Sequence, residues 1–346
     1  MRCTVCYSVF MARDGQRKGR GCLITLVILG LLAAGIWFVG LPIANNKAEA
    51  FVDSAVRNAM GSPGMPRVGY RDIKIDAARG QVDIYDLVIP LEEGSSLHAA
   101  RIRVTVSPSE LVAFGMGRSS GLSKADIGIQ QFTYKATDTA VAFDVAQISL
   151  DGSLDFNNPE SSVIQHIRVD ATNATFTNPD AGMGFSSKTL ELDVTGKLTV
   201  ASLQKDFDGV LDDLAYIDVA ATSGKLVPDT QTLNQLGMFA AVSPWIADTE
   251  NWSFKSASVQ ARSLDDKLAI DMFTLDAPLM AASGKASFPR GEGTETAISL
   301  EVADLHSQVR SELAPLAQYM GQTIPEGAFS FDFSWQGTGI PQLSFH

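Results

Sequence analysis

The chain has 346 residues, 45% hydrophobic and 19% charged, with a formal net charge of −12. That length suggests two domains or one long one, and the apolar content suffices for a large core. The acidic balance argues against nucleic acid, which needs Lys and Arg to neutralise phosphate, and against lying flat on anionic lipid, where the charge has the wrong sign.

The charge is unevenly spread. Residues 1–43 carry Arg2, Arg13, Arg17, Lys18 and Arg20 against Asp14, a balance of +4, so the remaining 303 residues carry −16. Residues 1–22 read as a basic cytoplasmic tail, with Met11 as an alternative start. Residues 23–43, LITLVILGLLAAGIWFVGLPI, hold no charge and are long enough to cross a ~30 Å hydrocarbon core as one helix. The cations before them place the tail in the cytoplasm and export the body. The competitor is a cleaved signal peptide, since Ala48-Glu49-Ala50 has the small-x-small form, but the apolar stretch is longer than a usual h-region. Cys3, Cys6 and Cys22 all lie at or before this segment, so the body has no thiol for a disulfide or a thiolate site. Cys3 and Cys6 form a C-x-x-C without the second pair or nearby His that a metal site needs.

Residues 44–61 predict a juxtamembrane amphipathic helix, with Phe51, Val52, Ala55, Val56 and Ala59 at helical spacing, ended by Gly and Pro. A β region follows over 62–150. In 71–76, Ile73 and Ile75 alternate with Asp72, Lys74 and Asp76, "AARG" turns, and Val82 and Ile84 begin the return strand. The parity then shifts to Tyr85, Leu87 and Ile89, the mark of a bulge or of burial on both faces. Residues 98–106 set Ile102, Val104 and Val106 opposite Arg101, Arg103 and Thr105. "SPSELVAFGMG" reads as a short helix. A second β region spans 151–346, and the turn-rich 151–162 is the best candidate boundary. Its short alternating runs, closed by Gly, Asn or Asp, indicate an antiparallel all-β architecture. Helices are predicted near 203–214, 229–243 and 304–320, the last bent or shortened by Pro315. Ser/Thr-Gly-Lys recurs at Thr195, Ser223 and Ser283. It lacks the upstream glycine of a phosphate loop and predicts turns or bulges between strands.

Catalytic constellations do not assemble. Gly117-Arg118-Ser119-Ser120-Gly121 fits G-x-S-x-G, but a helix precedes and a strand follows, the reverse of a nucleophile elbow. His98, His166, His306 and His346 are scattered, with no metal-ligand spacing. No run supplies the clustered oxygens of a calcium loop. The expectation is a non-enzyme without metal or cofactor.

One membrane helix, an amphipathic helix, the hairpin "VGYRDIKIDAARGQVDIYDLVI", then "RIRVTVSPSELVAFG" resemble the start of the AsmA-like proteins of bacterial envelopes, relatives of TamB and the bridge-like lipid transfer proteins. "LMAASGKASF" and "EGAFSFDFSWQGTGIPQLSFH" are similar to that family's late strands. The resemblance implies an inner-membrane, single-pass protein with its body in the periplasm. The fold it implies is mainly β: an elongated, curved antiparallel sheet, as groove or sandwich, with a few short helices. Its apolar face would shelter phospholipid or glycolipid acyl chains, and Ile73, Ile75, Val82, Ile84, Ile102, Val104 and Val106 would line it first. Envelope proteins are possible partners. The alternative is a non-enzymatic, membrane-tethered β-sandwich scaffold whose apolar faces are internal core.

Overall fold

In a computed structural model of the chain, the structure describes residues 69–76, 79–90, 95–110, 121–136, 139–155, 161–178, 183–199, 213–228, 244–264, 267–289, 296–319, 321–335 and 342–346. The predicted membrane segment 23–43, the helix at 44–61 and the helix at 229–243 lie outside these residues. So does the predicted helix at 203–214 as far as 212; Leu214 itself opens a strand.

The protein is mainly β, an open antiparallel sheet whose fourteen strands lie side by side in chain order. The strands are β1 (Asp72–Asp76), β2 (Gln81–Pro90), β3 (Ser96–Thr105), β4 (Gly121–Lys135), β5 (Ala140–Asp155), β6 (Val163–Asn178) and β7 (Met183–Thr199). They continue as β8 (Leu214–Pro228), β9 (Ser253–Ser263), β10 (Lys267–Asp276), β11 (Met280–Pro289), β12 (Thr296–Leu305), β13 (Phe329–Trp335) and β14 (Gln342–Phe345). Two short helices are described, α1 (Pro244–Ala247) and α2 (Ser307–Tyr319). The candidate boundary at 151–162 begins inside β5, which runs through Asp151. The chain divides into two compact units: one holds β1–β4, the other β8–β14 and both helices, with β5–β7 divided between them.

The first turn is built as the sequence predicts. Arg79 N–H donates to Asp76 O at 3.2 Å, and Gly80 takes a left-handed φ of +63°. The Gly80 carbonyl then accepts from Val106 N–H at 3.0 Å. A Cβ at Gly80 would stand 2.3 Å from Val106 O, so conformation and space both demand glycine.

The parity shift in β2 is real and recurs. At Asp86 (φ 51°), Gln131 (φ 50°), Asn173 (φ 50°) and Ser223 (φ 49°) the backbone is left-handed within a strand. At each, buried positions step by three instead of two: Ile84 to Leu87, Ile129 to Phe132, Ala171 to Ala174, and Ala221 to Gly224. A left-handed residue turns the strand over, so a change of parity in the sequence keeps one side of the sheet apolar. In the first unit, Tyr85, Arg101 and Gln130 form one cross-strand row and Leu87, Ala99 and Phe132 the next. Asp86 and Gln131 therefore flank Ala100, and the kinks align across three strands.

The three Ser/Thr-Gly-Lys sites are not turns; all lie inside strands. Gly196 sits at a register shift between β7 and β8. Gly224 pairs with Phe254 on β9, whose ring a Cβ would approach to 2.1 Å. Gly284 likewise leaves room for Leu300 and the carbonyl of Ser299.

Candidate apolar binding face

The first unit buries one continuous apolar face. Its cross-strand rows are Ile73, Ile84, Ile102, Ile129 and Ile75, Val82, Val104, Ile127. Ile73, Val82, Ile84, Ile102, Val104 and Val106 are each no more than 6% exposed. The residues predicted to line an open surface are thus brought together on one face as expected, with Ile75 at its register position, but that face is closed to solvent. The opposite face is a salt-bridged surface. Asp83 accepts two bidentate forks, from Arg101 (3.1 and 3.0 Å) and from Arg103 (2.8 and 3.2 Å). The Arg101 guanidinium also lies 5.3 Å from the Tyr85 ring centroid. Burial works against the Arg101 charge, but the bonds to Tyr85 and Asp83 prevail and raise its pKa.

The second unit carries a similar face with less cover. Three rows cross six strands, β8 to β13. The first is Ile217, Ala261, Ile270, Ala286, Ile298, Phe333; the second is Val219, Val259, Phe273, Gly284, Leu300, Phe331. The third is Ala221, Ala257, Leu275, Ala282, Val302, Phe329. At ~3.3 Å per residue and ~4.8 Å per strand the rows span roughly 13 by 24 Å, about 300 Å².

Cover is graded along the strands. Helix α2 packs Val309 and Leu313 against Ala282, Val302 and Phe329, and Trp245 of α1 joins the same cluster. The seam also holds a buried carboxylate. Glu312, 8% exposed, accepts from the Trp245 backbone N–H at 2.9 Å and from Gln308 Nε2 at 3.3 Å. The Trp245 and His306 rings stack at 4.3 Å. Away from α2 the first two rows are only half-buried, from Ile217 and Val219 to Phe331 and Phe333, Ala261 excepted. Sequence reading placed a helix at 304–320, against the observed Ser307–Tyr319, but had no signal that it caps one end of this face.

On the reverse face the polar side chains pair with one another. His166 Nε2 lies 3.0 Å from Asp193 Oδ1, and Asp218 accepts from Gln260 Nε2 at 3.0 Å and from the Tyr216 hydroxyl at 3.3 Å. Desolvation, with the Asp218 charge, raises the Tyr216 pKa. His98 is exposed on β3, and His346 lies 3.6 Å from Asp332. Among the described residues no three His, Cys, Asp or Glu side chains are placed to hold a metal ion. Gly121 of the G-x-S-x-G stretch opens β4, while Ser119 lies outside the described residues.

No protein-family model, curated protein or solved structure matches this chain.

Proposed function

We propose that this is a single-pass envelope protein, anchored in the bacterial inner membrane with its body in the periplasm, which binds lipid acyl chains against an apolar β-face. The observation that carries the reading is the apolar pair of rows crossing β8–β13, which α2 leaves only partly covered. The acyl-binding segment is then Ile270, Ile298, Leu300, Phe331 and Phe333 rather than the closed face around Val104. No acid–base pair or nucleophile is needed for this activity. The near-complete burial of the β1–β4 face favours the second reading for that unit, a tethered scaffold with an ordinary core.

The test is lipid content. The full chain is purified in a mild detergent, and co-purifying lipid is measured by mass spectrometry for the wild type and for Ile298→Asp. Stoichiometric phospholipid or glycolipid, lost in the folded variant, supports acyl binding. A folded, lipid-free wild type overturns it in favour of the scaffold.

A further inference from the structure

The third apolar row, from Ala221 to Phe329, continues the two rows beside it. It differs from them in cover, because Val309 and Leu313 of α2 lie against Ala282, Val302 and Phe329. That cover carries local costs. Pro315 stands inside α2 on its exposed side. It has no N–H to give the Ser311 carbonyl, and its ring crowds that turn. Glu312, 8% exposed, brings a carboxylate into an apolar seam and draws hydrogen bonds from two neutral donors, Trp245 N–H at 2.9 Å and Gln308 Nε2 at 3.3 Å. Arg310 Nη1 is buried and meets no acceptor among the described residues, while Nη2 donates to Gly327 O at 3.2 Å. Elements that move are drawn from the less stable parts of a fold, and these costs all fall on the helix that divides covered from uncovered rows.

The joints at either end allow a swing. β12 ends at Leu305 and α2 begins at Ser307, so His306 alone joins them. Its N–H donates to Leu279 O at 3.1 Å and its ring stacks on Trp245, which fixes this end. Beyond the other end, Gly321 (φ +71°) and Gly327 (φ +76°) are left-handed, and a Cβ at either would meet nothing within 4 Å. Conformation rather than crowding therefore calls for glycine at both, and such positions can absorb a change of φ and ψ.

We infer that α2 is a hinged cover, turning about His306 and lifting at Glu312, which opens the third row to the same acyl chain that lies on the first two. The inference rests on the acyl-binding reading of this face and adds how its covered end is reached. Occupancy of the third row then scales with the fraction of chains in which α2 is open.

The experiment is photolabelling of the full chain in neutral detergent with a diazirine-bearing palmitic acid. Labelled residues are mapped by mass spectrometry, and hydrogen exchange of α2 is measured in parallel. Wild type is expected to carry label at Ile298 or Phe333 and also at Val302 or Phe329. Pro315→Ala changes an exposed position away from the sheet and restores a helical hydrogen bond. It should slow α2 exchange about tenfold and lower third-row labelling about threefold or more, with labelling of the first two rows retained. Glu312→Ala releases the clasp and should move both readouts the other way. Opposite signs from two variants of one helix separate opening from a general loss of fold. Labelling confined to the first two rows in all three proteins overturns the hinged cover and leaves acyl binding standing. Equal third-row labelling in all three also overturns it, since the row is then reached without α2 moving. No labelling of any row overturns both readings.

Discussion

Val104 decides between an open groove and a closed core in the first unit. It is 2% exposed, with Val82 and Ile127 opposite it on β2 and β4. Val104→Ala removes two buried methyl groups, worth ~0.8 kcal/mol each in transfer, and leaves a cavity, for a total of ~2–3 kcal/mol. Val104→Asp adds an unpaired carboxylate to an apolar site, an effective penalty of several kcal/mol more. The sum is on the order of the whole stability of a domain, ~5–15 kcal/mol. Ile298→Asp is the control, because Ile298 is only half-buried on the second unit's apolar face, where water reaches the new charge. The assay is hydrogen exchange by mass spectrometry on the full chain in detergent, read on peptides from β2–β3 and from β9–β11. Val104→Asp should bring β2–β3 amides to the exchange rate of an unfolded chain. Val104→Ala should accelerate them by one to two decades, since ~1.4 kcal/mol is tenfold. Ile298→Asp should leave β2–β3 protection intact. Full protection of β2–β3 in Val104→Asp would refute the burial argument and restore the open face that the sequence suggested.

Three further outcomes test other parts of the fold. Because Gln131 is left-handed within β4, Gln131→Val should destabilise by ~1–2 kcal/mol while Gln131→Gly is neutral or slightly stabilising in urea unfolding; the usual strand order, Val above Gly, would show that the kink is absent. Glu312→Ala should strip the Trp245 N–H of its acceptor and cost ~1–3 kcal/mol, seen as faster exchange in α2 and α1 with β2–β3 unchanged; uniform loss across the chain would contradict a local clasp. The hydrogen bond from Arg262 holds the Asp271 carboxyl below its usual range against the opposing effect of burial. A depressed carboxylate contributes stability above the ordinary carboxylate range and loses it as pH falls through the folded value. The stability gap between wild type and Asp271→Asn should thus shrink below about pH 4 and also in high salt, because the pair is solvent-exposed; a gap that widens in acid contradicts the sign.

Much of the strand order was legible because alternation is a local signal. Arg71–Asp76, Val82 onward and 98–106 read correctly to within two residues, since one polar and one apolar face per strand is all the pattern requires. The turn at Gly80 was legible because only glycine takes that φ with a carbonyl 2.3 Å from the absent Cβ. The helix at 304–320 was legible from the spacing of Leu305, Val309 and Leu313, although Leu305 proved to be the last residue of β12. The Ser/Thr-Gly-Lys sites, read as turns or bulges between strands, proved to lie within strands, with a register shift at Gly196; Gly224 and Gly284 are selected by a neighbour on the adjacent strand, Phe254 or Leu300, which no local window contains. Face identity was legible for β1–β4, but cover was not, because burial depends on chain that the alternation pattern does not connect to it.

The left-handed residues link these two failures. In β4 and β8, each 15 residues long, the apolar side continues across a change of parity that strict alternation would not allow. A single left-handed residue resets the phase at the cost of local strain, and Asp86, Gln131, Asn173 and Ser223 place such resets in β2, β4, β6 and β8. Asn and Asp accept that conformation readily, whereas Gln and Ser do so less, so Gln131 and Ser223 are held by their surroundings. Asn173 Nδ2 donates to Asp144 Oδ2 at 2.6 Å on β5, a contact that steadies its kink from the neighbouring strand. The resets let a continuous apolar side persist along long strands despite broken sequence parity. That continuity is what a core needs in the first unit and what the proposed acyl-binding face needs in the second. The difference between the two lies in the cover alone: nearly complete over Val104, and limited to the α2 end over Phe329. The proposed acyl binding therefore turns on Ile298 and Phe333, not on the more regularly alternating residues of the first hairpin.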